Sequence, residues 1–272
     1  MTHLFLYHNG GRGDVMLCRA LYRAVLATSG LELTIGVCRG DQELVADLSG
    51  PKCRIVVSEY GNTPFGAPFD LAAYCPVGAV PLAIWLGGTN HVPSRQWPDV
   101  VEAFHRDLRR LGIAAVVADP LGEVPMLDFA GPIETPALRR RAVFVDNART
   151  ELESSYFVYD LARLARVLPD HDLLCTAAPA AAAPNLVDIS ALSWPQRSRL
   201  SERCEALVGS TLDPFVVTMT EANRWRPKAL CGHDARVTPP VWDYPGNPLE
   251  LLTSMDELVD FLLANVVEGV VR

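Results

Sequence analysis

The stretch LFLYHNGGRGDVMLCRALYRAVLATSG, residues 4–30, decides the fold. Its apolar run, residues 4–7, has the look of a short buried strand. It stops at a glycine cluster (Gly10, Gly11, Gly13), passes Asp14, and enters a segment in which Val15, Leu17, Leu21, Val25 and Leu26 recur near helical spacing. Gly30 closes that segment as a C-cap. Strand, glycine turn and helix in this order place backbone N–H groups at the positive end of a helix, which suits an anion.

The turn is neither of the two common phosphate loops. If Gly11 and Gly13 were the first glycines of G-x-G-x-x-G, a small residue would be needed at 16, where Met16 stands. No G-x-x-x-x-G-K-[ST] occurs, so a P-loop is excluded. Asp14 has two readings. It caps the helix, satisfying first-turn N–H groups, or it projects its carboxylate into a cleft at the strand's carboxyl end, where open α/β sheets place ligands.

Outward from this unit the same grammar continues. Residues 32–38 (ELTIGVC) predict a second strand, 41–50 (DQELVADLSG) a capped helix, 53–59 a third strand and 79–88 a further buried strand. Residues 97–113 predict a strongly amphipathic helix, with Val100, Val101, Phe104, Leu108 and Leu111 on one side. Residues 119–141, rich in proline and glycine, break the pattern and read as an interdomain connection. The alternation then restarts with AVFVDNA at 142–148. A serine-capped helix over 154–169, strands at 171–177, 185–190 and 205–210, and a helix opened by the turn TLDP follow. A short strand at 228–232 and a capped amphipathic helix from Ser254 end the series. This is βαβ grammar, and it predicts parallel sheets covered by helices in two domains, 1–138 and 139–272.

The chain of 272 residues is 49% hydrophobic and 21% charged, with a formal charge of −8. The charge divides evenly: residues 1–138 carry 10 basic and 14 acidic side chains, residues 139–272 carry 14 and 18. That balance argues against a nucleic-acid partner, which calls for a basic face. No apolar run reaches the roughly 20 residues of a transmembrane helix, and no secretory signal is evident at the N-terminus. Seven scattered cysteines, an odd number with no C-x-x-C pair, predict reduced thiols in a cytoplasmic protein. The six histidines form no metal-ligand pattern, and without a G-x-S-x-G elbow a serine hydrolase is unsupported. The one low-complexity tract is AAPAAAAP at 177–184.

Strand, Gly-Asp turn and the helix with ALYRAV resemble the N-terminal entry of the heptosyltransferase-like glycosyltransferases. RQWPDVVEAFHRDLRRLGI is similar to the arginine-led helix ending in LGI that closes that family's first domain. NLVDIS with LSERCEALVGSTLDP, and then RPKALCG, look like its later segments, in the same order. The resemblance implies the GT-B arrangement: α/β, two Rossmann-like domains with parallel sheets facing a central cleft. It implies a metal-independent, inverting transfer of a sugar from a nucleotide-diphosphate donor to an acceptor hydroxyl, with no cofactor. The acceptor would be a saccharide, lipid-linked or protein group.

On the same resemblance Asp14 is the general base. Gly10, Gly11, Arg12, Gly13 and His91 border the acceptor side. Gly209, Ser210, Thr211 and Asp213 cradle the donor diphosphate, with Asn147 and Arg149 beside it and Glu221 and Arg224 toward the ribose or base. The family's NDSGP turn is STLDP here, its histidine past that proline is Val216, and its first-loop lysine is lacking in DNARTELESS. These departures keep open an alternative, a non-catalytic protein of the same fold that binds a nucleotide or saccharide or serves in assembly.

Overall fold

A computed structural model describes residues 2–7, 12–61, 71–84, 97–113, 127–148, 157–210, 215–232 and 249–267. The chain divides into two compact units, the first running to Gly131 and the second beginning at Pro132.

The first unit holds a four-stranded parallel sheet in the order β3-β2-β1-β4. Its strands are β1 (Thr2–Tyr7), β2 (Leu31–Arg39), β3 (Cys53–Gly61) and β4 (Val80–Ala83). Thr2 to Tyr7 pair with Leu31 to Gly36, and Leu4 to Tyr7 with Val80 to Ala83. Phe5 and Tyr7 pack with Cys38, Leu71 and Ala83. Gly36 is needed there because a Cβ would lie 2.6 Å from the Phe5 ring.

The helix expected after the glycine turn is two pieces, α1 (Arg12–Leu17) and α2 (Arg19–Ala27). The break at Cys18 directly precedes Arg19, which is only 1% exposed. Its guanidinium meets both Asp47 oxygens at 2.8 Å and the Asp128 carbonyl at 2.6 Å, donates to the Leu44 carbonyl, and lies 4.4 Å from the Phe129 ring centre. The Ala130 N–H donates to Asp47 as well. This one side chain therefore ties α2 to residues 127–130, the end of the unit. The capped helix expected at 41–50 is instead two 3₁₀ turns, Gln42–Leu44 and Ala46–Leu48. The reason lies in Asp41, whose carboxylate makes no cap and accepts from Arg12 Nε at 2.9 Å. α3 (Trp97–Arg110) appears where the amphipathic pattern placed it.

The second unit holds six parallel strands in the order β10-β9-β8-β5-β6-β7. They are β5 (Arg141–Asp146), β6 (His171–Cys175), β7 (Leu186–Asp188), β8 (Ala206–Gly209), β9 (Lys228–Cys231) and β10 (Leu249–Leu252). The last was not foreseen in LELL. The helices are α4 (Leu161–Val167), α5 (Trp194–Ser201) and α6 (Met255–Leu262). Val143, Val145, Leu173 and Val208 pack with Leu164 of α4 and Leu258 and Leu262 of α6. The alternate residues Phe144, Leu174, Leu207 and Leu230 are buried too, so both sheet faces are covered.

Two helices are shorter than expected. α4 begins after Asp160, which caps it by accepting from the Arg163 N–H at 2.8 Å, so the cap is that aspartate and not the earlier serines. The segment expected as a helix up to Arg224 contains the 3₁₀ turns Val216–Thr218 and Glu221–Asn223. Asn223, fully buried, holds these turns by donating to Ser201 Oγ and the Thr218 carbonyl, both at 2.9 Å.

Candidate functional site

In each sheet the chain moves outward on one side of the first strand and then returns to the other side. The reversal lies between β1 and β4 in the first unit and between β5 and β8 in the second. A crevice opens at the carboxyl ends of strands at such a point, because their connections leave in opposite directions.

At the second reversal three strand ends are bonded together. The Asp146 carbonyl accepts from the Ser210 N–H at 3.2 Å and from Ser210 Oγ at 3.3 Å. The Asp146 carboxylate, with no exposed surface, accepts from Thr176 Oγ1 at 2.5 Å and from the Ala148 N–H at 3.4 Å. Asn147 donates to the Ala177 carbonyl at 3.0 Å and accepts from its N–H at 2.9 Å. Gly209 is required because a Cβ would sit 2.6 Å from the Phe215 ring. Beside these residues is a cavity of about 380 Å³, lined among others by Asn147, Phe157, Tyr159, Ala177, Ala178 and Ala180. Burial, with the Cys231 thiol close by, raises the Tyr159 phenol well above its ordinary pKa, so it stays protonated.

The structure thus brings Asn147, Gly209 and Ser210 together. Two of them already have partners: Asn147 is held by Ala177, and the Ser210 N–H and hydroxyl are turned to backbone carbonyls. Any N–H offered to a phosphate by this turn must come from beyond Ser210. Arg149, Thr211 and Asp213 lie outside the described residues. Glu221 and Arg224 are not at this edge. They face one another at 3.5 Å, just before β9 begins, where Lys228 Nζ donates to the Arg224 carbonyl at 2.9 Å. That is the amino end of the sheet, the length of a strand from Gly209. Asp146, Thr176 and Tyr159 were missed in the sequence. The available signal was an acid ending the apolar strand AVFVD.

At the first reversal the Ile84 N–H donates to the Tyr7 carbonyl at 2.9 Å, and both connections leave from there. α1 starts at Arg12, so Asp14 is its third residue and does not precede it as an N-cap. Its side chain, with Gly10, Gly11 and His91, lies outside the described residues. Gly13 is buried. Arg12 is drawn back onto Asp41, a carboxylate only 1% exposed.

Two solved structures share this double-sheet plan over almost their whole length. The E. coli heptosyltransferase WaaC, solved with ADP, matches with a TM-score of 0.55 over 99% of both chains at 13% identity. The E. coli ADP-heptose LPS heptosyltransferase II matches with a TM-score of 0.54, again over 99% of both chains, at 12% identity. The fold is that of the heptosyltransferases. It is the GT-B type, built from two α/β domains with parallel sheets. No protein-family model matches the chain. No curated protein sequence matches it either. Among the described residues, no three His, Cys, Asp or Glu side chains gather as a metal site, and no helix is long and apolar enough to cross a membrane.

Proposed function

We propose that the protein is a glycosyltransferase that moves a sugar from a nucleoside-diphosphate donor to an acceptor hydroxyl, with inversion and without a metal. The observation that carries this reading is the bonded crevice and its cavity at the carboxyl edge of the second sheet, in a chain with the heptosyltransferase fold. The donor lies with its diphosphate at the turn after Ser210, and Asp14, in the first turn of α1, removes the acceptor proton. One solved neighbour is named for ADP-heptose, so an ADP-sugar is the first donor to try. The acceptor is a saccharide, lipid-linked or protein hydroxyl. The seven unpaired cysteines fit a reducing, cytoplasmic setting.

The test is a thermal-shift titration with ADP, GDP, UDP, CDP and dTDP, followed by sugar transfer from the matching donor. A nucleotide at about 100 times its Kd adds roughly 2.7 kcal/mol of stability. Asp14→Asn should lower kcat by about 10²–10⁴ and leave nucleotide binding unchanged. A non-catalytic binding protein is the second reading, favoured by the engagement of Asn147 and Ser210 with backbone groups. It predicts a nucleotide shift with no transfer and no effect of Asp14→Asn. No shift with any nucleotide would end the donor-site reading.

A further inference from the structure

The helix α1 depends on what lies beside it. It is six residues long, Arg12–Leu17, and the break at Cys18 separates it from α2. Helices shorter than about 12 residues are marginal in water on their own, so contacts set the place of this one. Gly13, Val15 and Met16 are buried. At the start of the helix the Arg12 Nε donates to Asp41 Oδ1 at 2.9 Å.

Asp41 follows β2, and its surroundings are shaped around that contact. Its side chain is 1% exposed, and a buried carboxylate is costly unless a cation and hydrogen bonds meet it. It stands where an N-cap would, before the turn Gln42–Leu44, yet makes no cap bond. Its backbone is held on both sides. The Asp41 N–H donates to the Cys38 carbonyl at 3.1 Å, and the Asp41 carbonyl accepts from the Leu44 N–H at 3.0 Å. Gly40 has a φ of +94°, which favours glycine, and a Cβ there would lie 3.9 Å from Arg12 Nη2. The guanidinium therefore rests against a fixed turn at the carboxyl end of β2, the strand next to β1 in the sheet.

We infer that Asp41 is a positioning residue: through Arg12 it fixes the first turn of α1 and with it the place of Asp14. The inference rests on the reading of Asp14 as the base that removes the acceptor proton. Arg12 and Asp14 are two residues apart in one turn, so any tilt that frees Arg12 carries position 14 with it. At about 100° per residue, position 14 stands about 200° round the helix axis from Arg12. The bond that holds the turn is thereby kept apart from the position that carries the base. A misplacement of about 1 Å at a reacting group costs about 10²-fold in rate, so Asp41 acts on turnover without touching either substrate.

The experiment uses the full chain as wild type, Asp41→Asn, Arg12→Met and the double variant, with Asp41→Asn also made in the Asp14→Asn chain. Melting curves check folding. Asp41→Asn removes the buried charge along with its need for a partner, so it carries the test even where Arg12→Met does not fold. Two readouts are taken. Hydrogen exchange at the Met16 and Leu17 amides should quicken in both single variants while α2 keeps its protection; unchanged exchange in α1 would overturn the inference whatever the activity. In the transfer assay above, each single variant should lower kcat by about 10²-fold with the donor KM unchanged. The double variant should lose no more than the worse single one, and Asp41→Asn should add nothing in the Asp14→Asn chain. Full kcat in folded Asp41→Asn would overturn the inference and leave the base reading standing. A double-variant loss equal to the product of the single losses would overturn it too, since the two residues would then act independently. An equal loss from Asp41→Asn with and without Asp14 would place its action elsewhere. Full kcat in Asp14→Asn, or no transfer by the wild type, would remove the base reading and the inference together.

Discussion

The two sheets reverse their chain at equivalent points but secure them with different chemistry. In the first unit the bracing is ionic and lies to one side: Arg12 on Asp41, and Arg19 and Arg23 on Asp47 and Asp128. In the second it lies at the crevice and is built from one buried acid, a hydroxyl, a carboxamide and backbone carbonyls. The first brace rests on pairs of opposite charge and the second on one buried acid held by neutral donors, so removing a partner should act on the two units differently. A change at the second brace also reaches the candidate donor site directly.

Arg19→Met gives the largest expected effect. It removes the buried guanidinium and leaves Asp47 without its charged partner, holding only the bond from the Ala130 N–H, a loss of about 3–5 kcal/mol. Urea denaturation, with hydrogen exchange to assign the loss, should find it confined to the first unit. The acid limb carries a second signature. Burial alone would raise the Asp47 carboxyl, but the bonds from Arg19 and the Ala130 N–H outweigh it and hold its pKa below the ordinary value. With the folded value below the unfolded one of about 3.9, this stabilisation is complete above about pH 4 and is lost as the pH falls through the folded value. The variant should lack that acid-dependent part. Equal loss in both units would break the contrast.

Thr176→Val tests the other brace with almost no change of shape. It takes one bond from a buried carboxylate, and bonds to charged groups contribute about 1.5–3 kcal/mol. The loss should appear in the second unit and be accompanied by weaker nucleotide binding. Stability lost with binding intact would show that the brace and the donor site are separate.

Much of the architecture was legible because parallel strands buried on both faces read as plain apolar runs. LFLY, ELTIGVC, AVFVD and HDLLC each became a strand within a residue or two of where pattern put it. What pattern could not supply was the destination of polar side chains. Asp41 has the look of a cap in DQELVADLSG, yet Arg12, distant in sequence, claims it, and the helix reduces to two 3₁₀ turns. Glu221 and Arg224 sit in a polar segment shortly after Ser210, but they directly precede β9, whose amino end lies at the other end of the sheet from Gly209. Asp146 and Arg19 were passed over because neither belongs to a motif. Their importance comes from burial, which single-residue chemistry does not announce.

Gly36 and Gly209 offer a matched pair across the units. Each lies in a strand against an aromatic ring, and an added Cβ would come within 2.6 Å of Phe5 or of Phe215. Overpacking of this kind costs about 1–3 kcal/mol, so both alanine variants should lose similar stability. Only Gly209→Ala should also weaken nucleotide binding, since it displaces the turn after β8. Similar effects of the two variants on binding would sink the assignment of the site to the second unit.

The smallest effect sharpens the contrast from within the second unit. Ser193 and Ser254 each cap a helix through a reciprocal box, with Gln196 and Glu257 respectively. Replacing an N-cap serine by alanine costs about 1 kcal/mol, and the two variants should be near equal in neutral buffer. Their boxes differ in charge. The Thr253 backbone N–H and hydroxyl, and then the Ser254 N–H, hold the Glu257 carboxyl below its ordinary pKa, whereas Gln196 does not titrate. A group whose folded pKa is lowered contributes above its unfolded value and loses that contribution as pH falls through the folded one. Ser254→Ala should therefore cost less in acid than at neutrality, and Ser193→Ala should cost the same in both. Denaturation midpoints of the two variants at pH 7 and pH 3.5 decide it, and a parallel response would mean that the glutamate's bonds do not depend on the serine cap.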